Sequence, residues 1–183
     1  MLRQEHARAT FFVVGRVAAR EPALLRRIVR EGNALGNHTW DHAHLNVLSR
    51  DSIAGELART EDAIAAATGE RPAIARPPFG ARSFVVLDEL RRRGYTCVLW
   101  SVPLPRDWEH VEAPEIARRV LANVRDGAIV VLHDGDRGKL SASDRSADVE
   151  ATRLIVRGFR ARGLRLVTIP EMLAIQDRQS GPT

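Results

Sequence analysis

The 183-residue sequence predicts an α/β fold in which strands alternate with helices around a parallel sheet covered on both faces. Three observations carry that expectation. Short runs of β-branched and aromatic residues recur, as in Thr10-Phe11-Phe12-Val13 and Ala128-Ile129-Val130-Val131-Leu132. Between them lie longer stretches whose apolar residues return every three or four positions, and glycine or proline stands at most of the changes from one pattern to the other. At this spacing the alternation fits a barrel or an open sheet, and either architecture gathers function at the C-terminal ends of its strands.

Taken in order, Ala9 to Gly15 reads as a short buried strand that ends in glycine. Val17 to Glu31 places Leu24, Leu25, Ile28 and Val29 on one face, with Pro22 near its start and Gly32 after its end, which is an amphipathic helix. Ala34 to Thr39 is the next strand. Ser49 suits the N-cap of a helix whose Ile53, Leu57 and Ile64 recur at helical intervals until Gly69. Ala73 to Ala75 is a brief strand, stopped by Pro77 and Pro78. Ser83 to Arg93 is a helix with Gly94 as its C-cap, and Thr96 to Val102 a strand. After a Pro-rich loop, Pro103 to Pro114, comes a helix from Glu115 to Asp126 with Ile116, Val120 and Val124 inward, stopped by Gly127. Ala128 to Leu132 is the most apolar strand. A polar loop, a helix from about Arg145 to Arg162, a strand from Leu164 to Ile169 and a short segment from Glu171 to Ile175 complete one domain, 1–175, with 176–183 as a frayed tail.

The composition, 44% hydrophobic and 28% charged, is that of a soluble globular protein with room for one sizeable core. The net charge of +5 is carried almost wholly by arginine, since Lys139 is the only lysine. Those arginines are spread over the helix faces, Arg91-Arg92-Arg93 being the one run of three, and no aromatics are interleaved with them. A solvated surface is therefore expected rather than a nucleic-acid stripe. Cys97 lies in an apolar run and reads as a small buried hydrophobe. The N-terminus is polar and no segment is long enough to span a bilayer, so the chain as written reads as soluble and untargeted, with its compartment open.

The densest chemistry is in His38-Thr39-Trp40-Asp41-His42. On a helical turn, i and i+4 point to one side, so both imidazoles can converge on one metal ion. Thr39 excludes the zincin pattern, which needs Glu after the first His. A catalytic metal also wants a third protein ligand and an open position for water. Alone, such a pair is more often two solvated or capping histidines than two ligands. However, Arg76 to Gly80, Asp107-Trp108 and His133 also follow expected strands. Singly, Arg76 reads as a surface ion pair, Trp108 as a core aromatic and His133 as a capped strand end. Together on one rim they indicate an active site. His44, two residues past His42, is expected to point elsewhere.

With these residues in hand, the chain resembles the polysaccharide deacetylase family, the chitooligosaccharide-deacetylase-like domain of carbohydrate esterase family four. Ala9 to Gly15 resembles its Ala-Thr-Phe-Phe strand, and His38 to His42 its His-Thr/Ser-x-x-His. Arg76 to Gly80 resembles its Arg-x-Pro-Tyr/Phe-Gly, Asp107-Trp108 its Asp-Trp, and Leu132-His133 its Leu-His. The resemblance runs from about Ala7 to Leu173. It implies a distorted (β/α) barrel and hydrolysis of N-acetyl or O-acetyl groups on a polysaccharide such as peptidoglycan, a chitin-like polymer of N-acetylglucosamine or acetylated xylan. It also implies a divalent metal, with zinc first and cobalt or nickel as alternatives. Carried over, His38 and His42 are metal ligands, and Arg76, Asp107 and His133 are catalytic. His133 is the general acid, and Asp107 holds its imidazole. Phe79 offers its backbone N–H to the oxyanion, and Trp108 and Leu132 wall the acetyl pocket.

The family's first strand bears Thr-Phe-Asp-Asp-Gly, which supplies the catalytic base and the third metal ligand. No such sequence occurs in this chain. An N-terminally truncated, incomplete barrel is therefore expected, with impaired activity. An uncovered strand edge is expected to favour self-association. Asp41, Asp134 and Asp136 adjoin the ligands or His133, but adjacency in sequence does not aim a carboxylate at a metal. Pro103-Leu104 replaces the family's Asp before Arg-Asp-Trp, and Val131 stands where Leu is usual. A non-catalytic remnant binding glycan or a protein partner is the alternative. A nucleic-acid binder ranks last.

Overall fold

The computed structural model describes residues 1–103, 105–109, 111–135 and 144–180. Leu104, Asp136, most of the polar loop and the last three residues of the expected tail lie outside the described residues. Two units are distinguished, residues 10–99 in one and 1–9, 100–135 and 144–180 in the other.

The first unit is an open parallel sheet with helices, in strand order β1-β2-β3-β4. Strand β1, Thr10–Val13, is a β-branched and aromatic run that pairs with β2, Ala34–Asn37, from Thr10 opposite Ala34 to Val13 opposite Asn37. The helix expected over 17–31 is instead two, α1 (Gly15–Arg20) and α2 (Pro22–Arg30). Glu21 between them has φ −120° and ψ 51°, because proline disfavours helical backbone in the residue before it and then opens α2 at its first turn. Helix α3, Arg50–Thr68, matches expectation closely. The Ser49 hydroxyl accepts the Ser52 N–H, and Gly69 at φ 81° closes the far end with its N–H on the Ala65 carbonyl.

Strands β3 (Ile74–Ala75) and β4 (Thr96–Cys97) are short, so only the first two residues of the strand expected over 96–102 pair. Helix α4, Phe84–Arg92, lies between them. Ile53 and Leu57 of α3 meet Leu45, Ala75, Val86, Leu90 and Tyr95 in one core, with Cys97 packed against it. Ile64 and Ala67 meet Ala18 and Leu25 in another. Burial pushes the Cys97 thiol up, consistent with a packing role.

In the second unit, α5 (Ala113–Leu121) packs on α6 (Ser146–Ala161). Helix α5 ends five residues earlier than its pattern suggests, and the Asn123 amide turns back onto the Arg119 carbonyl just beyond it. Ala117, Val120, Ile155 and Phe159 form the shared core. The apolar runs 128–132 and 164–168, expected as strands, pair in no ladder among the described residues. Their side chains Val130, Leu132, Leu164 and Leu166 still pack on the α5–α6 core, so burial rather than pairing explains their composition. Helix α7, Ile169–Ser180, absorbs Ile169 from the second run and makes residues 176–180 helical rather than frayed. Glu5 is held by Arg153, Arg157 and Arg160 of α6. Among the described residues no helix is long and apolar enough to cross a membrane.

Candidate active site

The expected site residues fall into two clusters, one in each unit. The first is built where β1 and β2 end. The His38 N–H extends the ladder onto the Val13 carbonyl, and the Gly15 and Arg16 N–H groups bond the Thr39 and Trp40 carbonyls, so the start of α1 is tied to the histidine segment. That segment is not helical, contrary to the i, i+4 expectation. Thr39 at φ 65° and His42 at φ 58° are left-handed, and a loop brings the rings together. A β-branched residue in that region is strained. Asn37 compensates: its Oδ1 accepts the Thr39 N–H at 2.9 Å, while its amide donates to the Leu57 carbonyl and the Tyr95 hydroxyl. From the outside, one carboxylate oxygen of Glu56 accepts both the Trp40 and the Asp41 N–H groups.

The His38 and His42 ring centroids are 4.9 Å apart, edge to face. Two imidazoles bound at about 2.0–2.1 Å to one zinc at a tetrahedral angle set their centroids roughly 5 Å apart, so this spacing fits a shared ion. The tautomer fits too. His38 Nδ1 lies 2.5 Å from the Arg76 carbonyl oxygen, and a carbonyl only accepts, so Nδ1 carries the proton and Nε2 keeps its lone pair. Asp41 lies against Arg16 at 3.5 Å. Among the described residues no three His, Cys, Asp or Glu side chains are grouped to hold a metal.

Arg76 is not the surface ion pair its isolated reading suggests. Its guanidinium stacks 4.1 Å from the Phe12 ring and donates to the Val98 and Leu99 carbonyls. Burial pulls its pKa down to about 10, and it remains charged at neutral pH. Phe79, φ 59°, is 55% exposed and its ring meets that of His42 edge to face. The Gly80 and Ala81 N–H groups are bonded to the Pro77 and Pro78 carbonyls, whereas no backbone acceptor takes the Phe79 N–H among the described residues. His44, expected to point elsewhere, instead stacks on the Phe79 ring that His42 also meets, with centroids 5.2 Å apart at 15°.

The second cluster joins Asp107, Trp108 and His133. Asp107 is 4% exposed and follows Arg106, another left-handed non-glycine residue at φ 58°. Its carboxylate accepts the His133 backbone N–H at 2.6 Å and the Nδ1–H at 3.0 Å, so residue and ring are held by one group and Nε2 is left to act. Trp108, 38% exposed, is not a core aromatic; it sets its edge 5.4 Å from the His133 ring. Half-buried Leu132 packs with Val111 against Ala113, Ile116 and Ala151. Asp134 is exposed.

The sequence profile of polysaccharide deacetylases matches residues 1–98, the part of the chain that holds the first cluster. The chain belongs to the polysaccharide deacetylase family. Among its relatives in that family, a peptidoglycan-N-acetylglucosamine deacetylase of Listeria monocytogenes is 34% identical over 93% of this chain, which spans 34% of that protein's length. A chitooligosaccharide deacetylase of Bradyrhizobium is 34% identical over 94% of this chain and 81% of its own length. Of solved structures, a family 4 carbohydrate esterase from Streptomyces lividans in complex with acetate superposes with a TM-score of 0.81 at 29% identity, over 90% of this chain and 80% of the other. A family 4 pseudoenzyme from Bacillus anthracis superposes at 0.79 and 27% identity, over 94% and 57%.

Asn37 and Glu56, which hold the histidine loop, were not legible as site residues. Asn37 gave one signal, an amide at the end of an apolar strand beside a histidine. Glu56 gave none, being one polar residue in an amphipathic helix.

Proposed function

We propose that this chain is a metal-dependent deacetylase acting on an acetylated polysaccharide, peptidoglycan or a chitin-like polymer of N-acetylglucosamine, and that the 183-residue polypeptide turns over slowly. The observation that carries the reading is the His38–His42 pair with its proton fixed by the Arg76 carbonyl. His38, through Nε2, and His42 would hold a divalent ion, zinc before cobalt or nickel. Such an ion polarises an acetyl carbonyl and lowers the pKa of its water. The Phe79 N–H faces the developing oxyanion. His133 delivers a proton to the leaving amine from Nε2, with Asp107 fixing the opposite nitrogen. Trp108 shields the acetyl methyl from water. The open sheet is read as part of the family's distorted barrel.

Slow turnover follows from the donor set. Among the described residues no third grouped ligand joins the two imidazoles, which leaves the ion short of a protein ligand, and a catalytic group removed from such a constellation typically costs about 10²–10⁴-fold in rate. Release of acetate from N-acetylglucosamine oligomers and from peptidoglycan, with zinc or cobalt added, is the test. Trace turnover that is lost in His133→Ala is expected. Turnover at an ordinary enzymatic rate of about 10 s⁻¹ overturns the impairment, and none at any metal concentration removes the enzymatic reading. The likeness to a family pseudoenzyme favours a second reading, a non-catalytic glycan binder; retention on insoluble chitin or peptidoglycan by a protein without activity identifies it. Self-association along β1, which ends the strand order, belongs to the same proposal and is read by sedimentation velocity.

A further inference from the structure

Apart from the two clusters of candidate site residues, the second unit carries a cavity of about 280 Å³ whose lining follows from two periodicities. Along the run 164–168 the side chains alternate. Leu164 and Leu166 pack on the α5–α6 core, whereas Arg165 and Val167 line the cavity. On α7, Glu171, Ala174, Ile175 and Arg178 stand at i, i+3, i+4 and i+7, one face of a helix, and they also line it. Arg8 completes the lining.

The charges in that lining do not balance. Thr168 and Glu171 form a capping box at the start of α7. Glu171 Oε2 accepts the Thr168 N–H at 2.8 Å and the Thr168 O–H at 3.0 Å, and Thr168 Oγ1 accepts the Glu171 N–H at 3.4 Å. The other oxygen of Glu171 takes Arg8 Nη1 at 2.6 Å. The one carboxylate of the cavity is thus committed to the helix start and to Arg8. Arg165 and Arg178 are left without an ion pair among the described residues. Two guanidiniums beside one concavity repel each other, and an anion between them turns that repulsion into attraction. The apolar walls at Val167, Ala174 and Ile175 screen it less than open water does.

We propose that this cavity binds a small organic anion: its phosphate or carboxylate group is gripped by Arg165 and Arg178, and its carbon portion lies over Val167 and Ile175. The planar fork of arginine suits two oxygens of either group. The volume exceeds that of a bare ion and lies near the lower end of small-molecule sites. None of these residues is used in the deacetylase reading, so the two stand or fall separately.

The test is a titration of the 183-residue chain, labelled with nitrogen-15, with phenyl phosphate, benzoate and inorganic phosphate. It is followed through the amide signals of residues 164–178. Saturable shifts are expected with phenyl phosphate or benzoate, and the tighter of the two assigns the charged group. Inorganic phosphate, with no carbon portion, is expected to bind more weakly. Arg165→Ala and Arg178→Ala are each expected to weaken binding about tenfold. Both arginines are exposed and outside the core clusters, so the variants are expected to fold. Arg125→Ala, which removes an exposed arginine of the same unit from outside the lining, is expected to change nothing. Shifts that never saturate, or an equal loss in Arg125→Ala, mean diffuse attraction to a basic surface and overturn the proposal. So does binding that survives both Arg165→Ala and Arg178→Ala, and inorganic phosphate bound as tightly as phenyl phosphate overturns the organic ligand.

Discussion

His38 Nδ1 stands 2.5 Å from the carbonyl oxygen of Arg76, so a residue at the end of one strand fixes the proton of a histidine at the end of the next. The Arg76 N–H in turn bonds the Asn37 carbonyl, which locks the two strand ends together. The imidazole therefore meets an ion with its tautomer already chosen, and no reorganisation opposes binding. What limits affinity is the number of ligands. Calorimetry of the 183-residue chain with zinc is expected to give a Kd weaker than about 1 μM, corresponding to roughly −8 kcal/mol. His38→Ala and His42→Ala are each expected to weaken it by a further tenfold or more, on the order of what even supporting residues of a metal site contribute. Sub-micromolar binding that survives both substitutions places the ion elsewhere.

Asn37 is the residue on which the histidine loop depends for its left-handed start. Fully buried, it satisfies the Thr39 N–H, the Leu57 carbonyl and the Tyr95 hydroxyl, and the Tyr95 O–H donates in turn to Glu61. Replacing it with alanine strands the Thr39 N–H where water does not reach, while the Tyr95 hydroxyl keeps Glu61 and the Leu57 carbonyl lies within α3. Each buried polar group stranded costs about 1–3 kcal/mol, so Asn37→Ala is expected to lower the urea midpoint sharply. Asn37→Asp is expected to be no better, because it sets a carboxylate against the Leu57 carbonyl. A midpoint within error of wild type in both would remove Asn37 from the support of the loop.

These two cases also mark where the sequence was legible. Helix α3 was read almost to the residue, because Ser49, the Ile53–Leu57–Ile64 stripe and Gly69 are local signals. His38 and His42 lie together, as do Asp107, Trp108 and His133, and the resemblance to the family's motifs is what singles these residues out together with Arg76 and Phe79. The helical geometry assumed for the histidine pair was wrong: spacing fixes which residues are neighbours and leaves their φ open, and Thr39 adopts a backbone its type disfavours. The strands expected over 128–132 and 164–169 failed because apolar composition reports burial and is silent on ladder partners. The break at Glu21 was announced by Pro22, but the surrounding apolar stripe outweighed it.

Gly15 tests how tightly α1 is fitted to the histidine loop. A Cβ there meets Thr60 Oγ1 at 2.4 Å and Trp40 Cε3 at 2.6 Å, with the Thr60 backbone at 2.9 Å. The hydroxyl and the indole can shift a little, whereas the α3 backbone cannot. Gly15→Ala is therefore expected to destabilise by about 1–3 kcal/mol, the usual cost of overpacking, despite alanine's better helix propensity. Because the Gly15 N–H also holds the Thr39 carbonyl, zinc affinity is expected to fall with stability. Gly55 is the control: nothing stands within 4 Å of a Cβ there, so Gly55→Ala within α3 is expected to stabilise by up to about 1 kcal/mol. Equal effects at the two sites would refute the close fit.

Asp148 gives the fold a pH signature. Its pKa is raised in the folded chain, chiefly by burial, so between the ordinary carboxylate value and the raised one the native state holds a proton that the unfolded chain has released. Stability contributed by this group is thus greatest below the ordinary value and declines as pH climbs through the window. Glu5, Asp88, Glu115 and Glu171 act in the opposite sense, their carboxyls lowered chiefly by hydrogen bonds, from arginines at the first three and from the Thr168 backbone at Glu171. Their contribution rises with pH and is common to wild type and variant, so it cancels in the difference. Asp148→Asn is neutral at every pH. The stability of the variant relative to wild type, from urea midpoints at intervals from about pH 4 to pH 8, is therefore expected to increase as pH rises and to level off once Asp148 has ionised. A difference that is flat with pH would show that Asp148 titrates in the native state as it does in the unfolded chain, and one that runs the other way that its charge is held there by Arg145.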